Sequence, residues 1–89
     1  MRAPAIYSPK QLANHLKLIR QKHALTQSEL AAKVGIKQAT ISNFENNPDK
    51  ATLKTFFKLV QALELSLVLY EKNDIVDDVG NSKQKRSDW

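Results

Sequence analysis

Between Thr26 and Gly35 there is room for barely two turns of helix, bounded at both ends by residues that stop it from growing. Thr26-Gln27-Ser28-Glu29 has the spacing of a capping box, in which a threonine hydroxyl and a glutamate three residues on satisfy each other's free backbone N–H groups. Leu25 and Leu30 flank it at the spacing of a hydrophobic staple. Leu30, Ala31 and Val34 supply one apolar stripe, and Gly35 offers the positive φ that ends a helix cheaply. An isolated helix this short does not persist in water. The chain must therefore fold into a body that clamps this segment from both sides.

The neighbouring segments provide that body. Ser8-Pro9-Lys10-Gln11 is a second start signal: Ser8 caps, Pro9 suits the first helical position, and Gln11 closes the box, with Tyr7 and Leu12 as its staple. Leu12, Leu16 and Ile19 repeat at helical spacing, which predicts a helix over 9–22. After Gly35 a third helix is expected from about Lys37 to Asn46, with Ile41 and Phe44 turned inward. Asn46-Asn47-Pro48-Asp49 breaks it. Thr52 caps a fourth helix from Leu53 to about Leu63, with Leu53, Phe56, Phe57, Val60 and Leu63 as its stripe. Short connections fold the four helices into one bundle over residues 9–63, preceded by an arm at 1–8. The expected class is all-α, and 89 residues are too few for a second core.

Residues 64–72 change period. Leu65, Leu67 and Leu69 alternate with Ser66, Val68 and Tyr70, a pattern of strand formers. A single strand leaves its backbone groups unpaired, so the same segment of a second copy is the expected partner, giving an antiparallel ribbon across a homodimer. The competing reading is a fifth helix. Residues 73–89 are polar and aperiodic and are expected to form a disordered tail. The chain has no cysteine, which excludes disulfides and thiolate zinc sites and fits a reducing cytoplasm. It has no apolar run of membrane-spanning length and no signal-peptide core.

Charge is unevenly placed. Residues 1–63 carry ten Lys/Arg against three Asp/Glu, a net of +7, while residues 64–89 carry four against six, a net of −2. A basic body suggests a polyanionic partner. Two short helices joined through a glycine form a helix-turn-helix pattern. On the third helix, Ala39, Ser42, Asn43 and Asn46 lie opposite Ile41 and Phe44, a small, uncharged, hydrogen-bonding face suited to the major groove. Gln38 and Asn43 have the amide geometry for adenine, and Ala39 suits a thymine methyl. Lys37, beside a helix N-terminus that disfavours cations, gains from a nearby phosphate or guanine. Gln27 and Ser28, at the start of the second helix, are placed to grip a phosphate, and Thr40 and Asn46 are assigned to phosphates beside the reading face.

Residues 9–63 resemble the helix-turn-helix domain of the Xre/Cro/C1 repressor family, through Thr26-Gln27-Ser28-Glu29-Leu30-Ala31, Val34-Gly35, Ala39-Thr40-Ile41-Ser42 and Phe44-Glu45-Asn46. The resemblance implies a compact, lambda-repressor-like four-helix domain, a phosphate contact at Gln27, base contacts at Gln38, Ala39, Ser42 and Asn43, and a structural salt bridge between Arg20 and Glu45. Lys37 departs from the small capping residue usual there. Within the family, Ile6-Tyr7-Ser8-Pro9, the run Gly35 to Asp49 and Leu63-Glu64-Leu65-Ser66 resemble the HipB-type antitoxins. That likeness implies a dimeric repressor of palindromic operator DNA that also binds and restrains a HipA-like serine/threonine kinase toxin. It adds Lys37 to the base contacts and implies an intersubunit strand at Leu65, Leu67, Val68, Leu69 and Tyr70.

Other classes fare worse. His15 and His23 lack a third ligand, and Asp74, Asp77 and Asp78 sit where nothing fixes their geometry, so neither a metal nor a cofactor is expected and catalysis is rejected. Single-stranded RNA binding needs exposed aromatic platforms, whereas Phe44, Phe56 and Phe57 fall on apolar stripes. The remaining alternative is a stand-alone phage-type regulator without a toxin. Trp89, the only tryptophan, combines apolar area with few rotamers and is read as an anchor for the kinase.

Overall fold

Ser8 opens the first helix as its sequence requires: its hydroxyl accepts the Gln11 N–H at 3.1 Å. The returning bond reaches one residue further back than a standard box, because Gln11 Oε1 accepts the N–H of Tyr7 at 2.7 Å. In the computed structural model, which describes residues 4–72, this helix is α1, Pro9–Lys22, followed by α2, Gln27–Val34, and α3, Gln38–Asn46. A 3₁₀ turn at Pro48–Lys50 occupies the predicted break, and α4 spans Leu53–Ala62. At α2 both halves of the box form, Glu29 N–H to Thr26 Oγ1 at 3.0 Å and Thr26 N–H to Glu29 Oε1 at 2.8 Å. Thr52 caps α4 by accepting the Thr55 N–H.

Three helices end in the same way. Just past the helix end an N–H returns to a carbonyl five residues back, from Leu25 to Arg20, Ile36 to Ala31 and Leu65 to Val60, at 2.9–3.1 Å. This wrap needs a left-handed residue just before it. Gly35 supplies it at φ 75°, but the other two positions are Ala24 and Glu64, both at φ 59°.

The core gathers Ala13 and Leu16 of α1, Leu30 and Ala31 of α2, Ile41 and Phe44 of α3, and Phe56, Leu59, Val60, Ala62 and Leu63 at α4 and its end. The two-turn α2 packs against both α3 and α4, which supplies the clamp that its length demands. The stripe predicted for α4 needs correction. Leu53 and Phe57 are 71% and 44% exposed, whereas Leu59 and Ala62, left out of that stripe, are buried. Residues 65–71 hold no regular structure in the single chain. Leu65 packs on the core, while Leu67, Val68, Leu69 and Tyr70 are exposed. The expected tail and Trp89 lie outside the described residues. No helix among the described residues is long and apolar enough to cross a membrane.

Candidate nucleic-acid interface

The site is built outward from a buried ion pair. Arg20, near the end of α1, is 8% exposed. Its Nε donates to Glu45 Oε2 at 2.7 Å and its Nη2 to Glu45 Oε1 at 3.1 Å, a bidentate fork. Nη1 donates to the Leu25 carbonyl at 2.7 Å. One guanidinium therefore joins α1, the turn into α2, and the last part of α3. Fork-to-fork geometry holds orientation as well as distance.

A second link runs from the same carboxylate to the surface. Gln27 Nε2 donates to Glu45 Oε1 at 2.9 Å. Gln38 Nε2 in turn donates to Gln27 Oε1 at 2.8 Å. The start of α2 is thereby tied to both ends of α3, and the exposed amide of Gln38 is held through Gln27 by a buried charge. Gln38 keeps one amide hydrogen and its carbonyl oxygen free of this chain, the donor–acceptor pair that complements the major-groove edge of adenine.

The rest of the predicted face is where the sequence put it. Gln38, Ala39, Asn43 and Asn46 are exposed and Ser42 and Thr40 are half-buried, with Ile41 and Phe44 buried on the opposite side. Asn46 Nδ2 donates to Ser42 Oγ at 3.2 Å, which joins a predicted base contact to a predicted phosphate contact. Lys37 is exposed at the N-cap of α3 and makes no side-chain cap. The N–H groups of Gln38 and Ala39 are accordingly left for an outside acceptor, while that of Thr40 donates to the Lys37 carbonyl at 3.0 Å. Ser28 is exposed in the first turn of α2.

Sequence reasoning missed the bridge. It paired Arg20 with Glu45 by resemblance, which the geometry bears out, but gave Gln27 to a phosphate alone. The amide of Gln27 spans two side chains eleven and eighteen residues away, a separation that no local pattern signals. Among the described residues there is no group of three or more His, Asp or Glu side chains that could hold a metal ion.

Comparison with known proteins agrees with this arrangement. A helix-turn-helix family model matches residues 16–70. The chain is 57% identical over 84 residues to antitoxin HipB of Escherichia coli strain K12, covering 94% of this chain and 93% of that protein. Among solved structures, a HipA–HipB–O2–O3 complex contains a chain 67% identical, superposing with a TM-score of 0.75 over 78% of this chain and 97% of the other. The restriction–modification controller protein C.Esp1396I is 30% identical with a TM-score of 0.60, over 64% and 74% of the two chains.

Proposed function

Because the chain belongs to the HipB-type antitoxins of the Xre/Cro/C1 helix-turn-helix family, we propose that it is a sequence-specific repressor of double-stranded operator DNA that also restrains a HipA-like serine/threonine kinase and so autoregulates its operon. The observation that carries the DNA half is the exposed, uncharged face of α3 with Gln38 held in place through Gln27 and Glu45. Lys37, Gln38, Ala39, Ser42 and Asn43 are assigned to bases, and Gln27, Ser28, Thr40 and Asn46 to phosphates. The kinase half is supported by the relative solved together with HipA. Trp89 is assigned as an anchor for that partner.

In this reading residues 1–8 are an arm, 9–63 the DNA-binding domain, 64–72 a dimerising strand and 73–89 a tail. Four consecutive exposed apolar side chains, Leu67 to Tyr70, support pairing of that strand with a second copy. The dimer would set two α3 helices about 34 Å apart in successive major grooves of a palindrome. The protein would act without catalysis, in the cytoplasm at the nucleoid.

The test is selection of binding sites from a randomised palindromic library. Gln38→Ala should cost roughly 1–3 kcal/mol on the preferred site and relax the preference at one base pair per half-site. An unchanged preference profile would remove α3 as the reader.

A further inference from the structure

An apolar groove of about 450 Å³ lies between the N-terminal arm and α4, on a part of the surface that the reading above does not use. Its floor is the buried rings of Phe44 and Phe56, its walls include Ile6 and Leu12, and its rim carries Tyr7 and Leu53. Tyr7 is 68% exposed and Leu53 71% exposed, so the first residue of α4 sets an isobutyl group at the edge of an apolar slot. A slot of this size accepts one large aromatic side chain, which buries on the order of 150–250 Å².

Two observations identify what fills it. The first is where the chain goes. Lys72, the last described residue, holds its Nζ 5.7 Å from the centre of the Tyr7 ring, so the polypeptide leaves the body at the rim of the groove. The seventeen residues from 73 to 89 are long enough to return there, and a tether of this length acts as a high local concentration. The second is composition. Those residues contain one aromatic side chain, Trp89. The other apolar residues, Ile75, Val76 and Val79, are interleaved with Asp74, Asp77 and Asp78. Asp49 lines the groove and repels that acidic run. It attracts the Lys83, Lys85 and Arg86 cluster that precedes Trp89.

We propose that, in the free protein, the indole of Trp89 docks into the groove between Tyr7 and Leu53 of its own chain. The docked tail is the resting state, and any partner that takes Trp89 must win it from this groove. The proposal stands apart from the kinase reading, because it concerns the protein with no partner present.

Trp89 is the only tryptophan, so fluorescence excited at the red edge of the absorption band, where Tyr7 and Tyr70 do not absorb, reports on it alone. Emission of the full-length protein should be shifted to the blue of N-acetyltryptophanamide and be less accessible to acrylamide. Leu53→Lys should return both to the values of the free indole, and so should Tyr7→Ser, a second change at the rim that keeps the test decisive if either variant fails to fold. Leu18→Lys, an exposed apolar position on α1 outside the groove, should leave both unchanged. Free-indole emission from the unmodified chain overturns the proposal. So does a blue shift that survives both rim changes, or one that disappears on dilution, which would place Trp89 on a second copy.

Discussion

Gln27 accepts a hydrogen bond from Gln38 across the turn between α2 and α3, at 2.8 Å, while donating to Glu45 at 2.9 Å. The exposed amide is thereby oriented by a partner that is itself fixed from below. Orientation set in advance is freedom that need not be lost on binding. Gln27→Ala should therefore weaken operator binding although its side chain need not touch a base. In a double-mutant cycle on the dissociation constants, Gln27→Ala and Gln38→Ala should couple by about 0.5–3 kcal/mol. Additive losses would show that the two amides act separately.

The Arg20–Glu45 pair governs stability more than recognition. Glu45→Ala leaves a buried guanidinium without its carboxylate and Gln27 without its acceptor. Removing one partner of such a pair costs roughly 3–5 kcal/mol. Urea unfolding at fixed protein concentration should show that loss for the single variant. The double change Arg20→Met with Glu45→Leu should recover most of it, since a well-packed apolar replacement is often neutral.

The left-handed residues at the helix ends make opposite predictions at three sites. Ala24 and Glu64 hold φ near 59° with a Cβ that disfavours it. Ala24→Gly and Glu64→Gly should each stabilise the fold by about 0.5–1 kcal/mol, after allowing for the greater freedom of glycine when unfolded. At Gly35 a Cβ would meet nothing within 4 Å. Gly35→Ala should therefore destabilise by the conformational cost alone, roughly 1 kcal/mol. Thermal unfolding resolves such changes, at about 4–8 °C per kcal/mol for a domain of this size.

Dimerisation can be tested at Val68. Val68→Pro removes a ladder donor from an exposed segment outside the four-helix body. Sedimentation should report a monomer with unchanged helical content, and operator affinity should fall with the dimer. A dimer that persists would move the interface to a helix face.

Much of this was legible in the residues. Ser8, Thr26 and Gly35 act at the positions their side chains demand, since capping and left-handed turns are decided within four residues. The α4 stripe was not. Periodicity finds an apolar face but not the direction of its neighbours, and the buried arc centred between Leu59 and Leu63 is rotated by roughly 70° from the predicted one, taking 100° per residue. Leu53 and Phe57 fall outside that arc. The bridge through Gln27 was illegible for a related reason: it depends on how three helices meet, and the residues concerned are polar and separately unremarkable.

The buried side of α3 is anchored by Ile41, Phe44 and Glu45, whereas Gln38, Ala39 and Asn43 project from it without core contacts. Scaffold and reading head are thus separable within nine residues. A chain of this design can drift toward a new operator, or be retargeted by grafting, through exchanges at three or four surface positions. Position 38 is the exception: a replacement that cannot bond Gln27 gives up the preset orientation along with the old specificity. Such a lineage should change its alphabet freely at 39 and 43 and only among amide-like donors at 38.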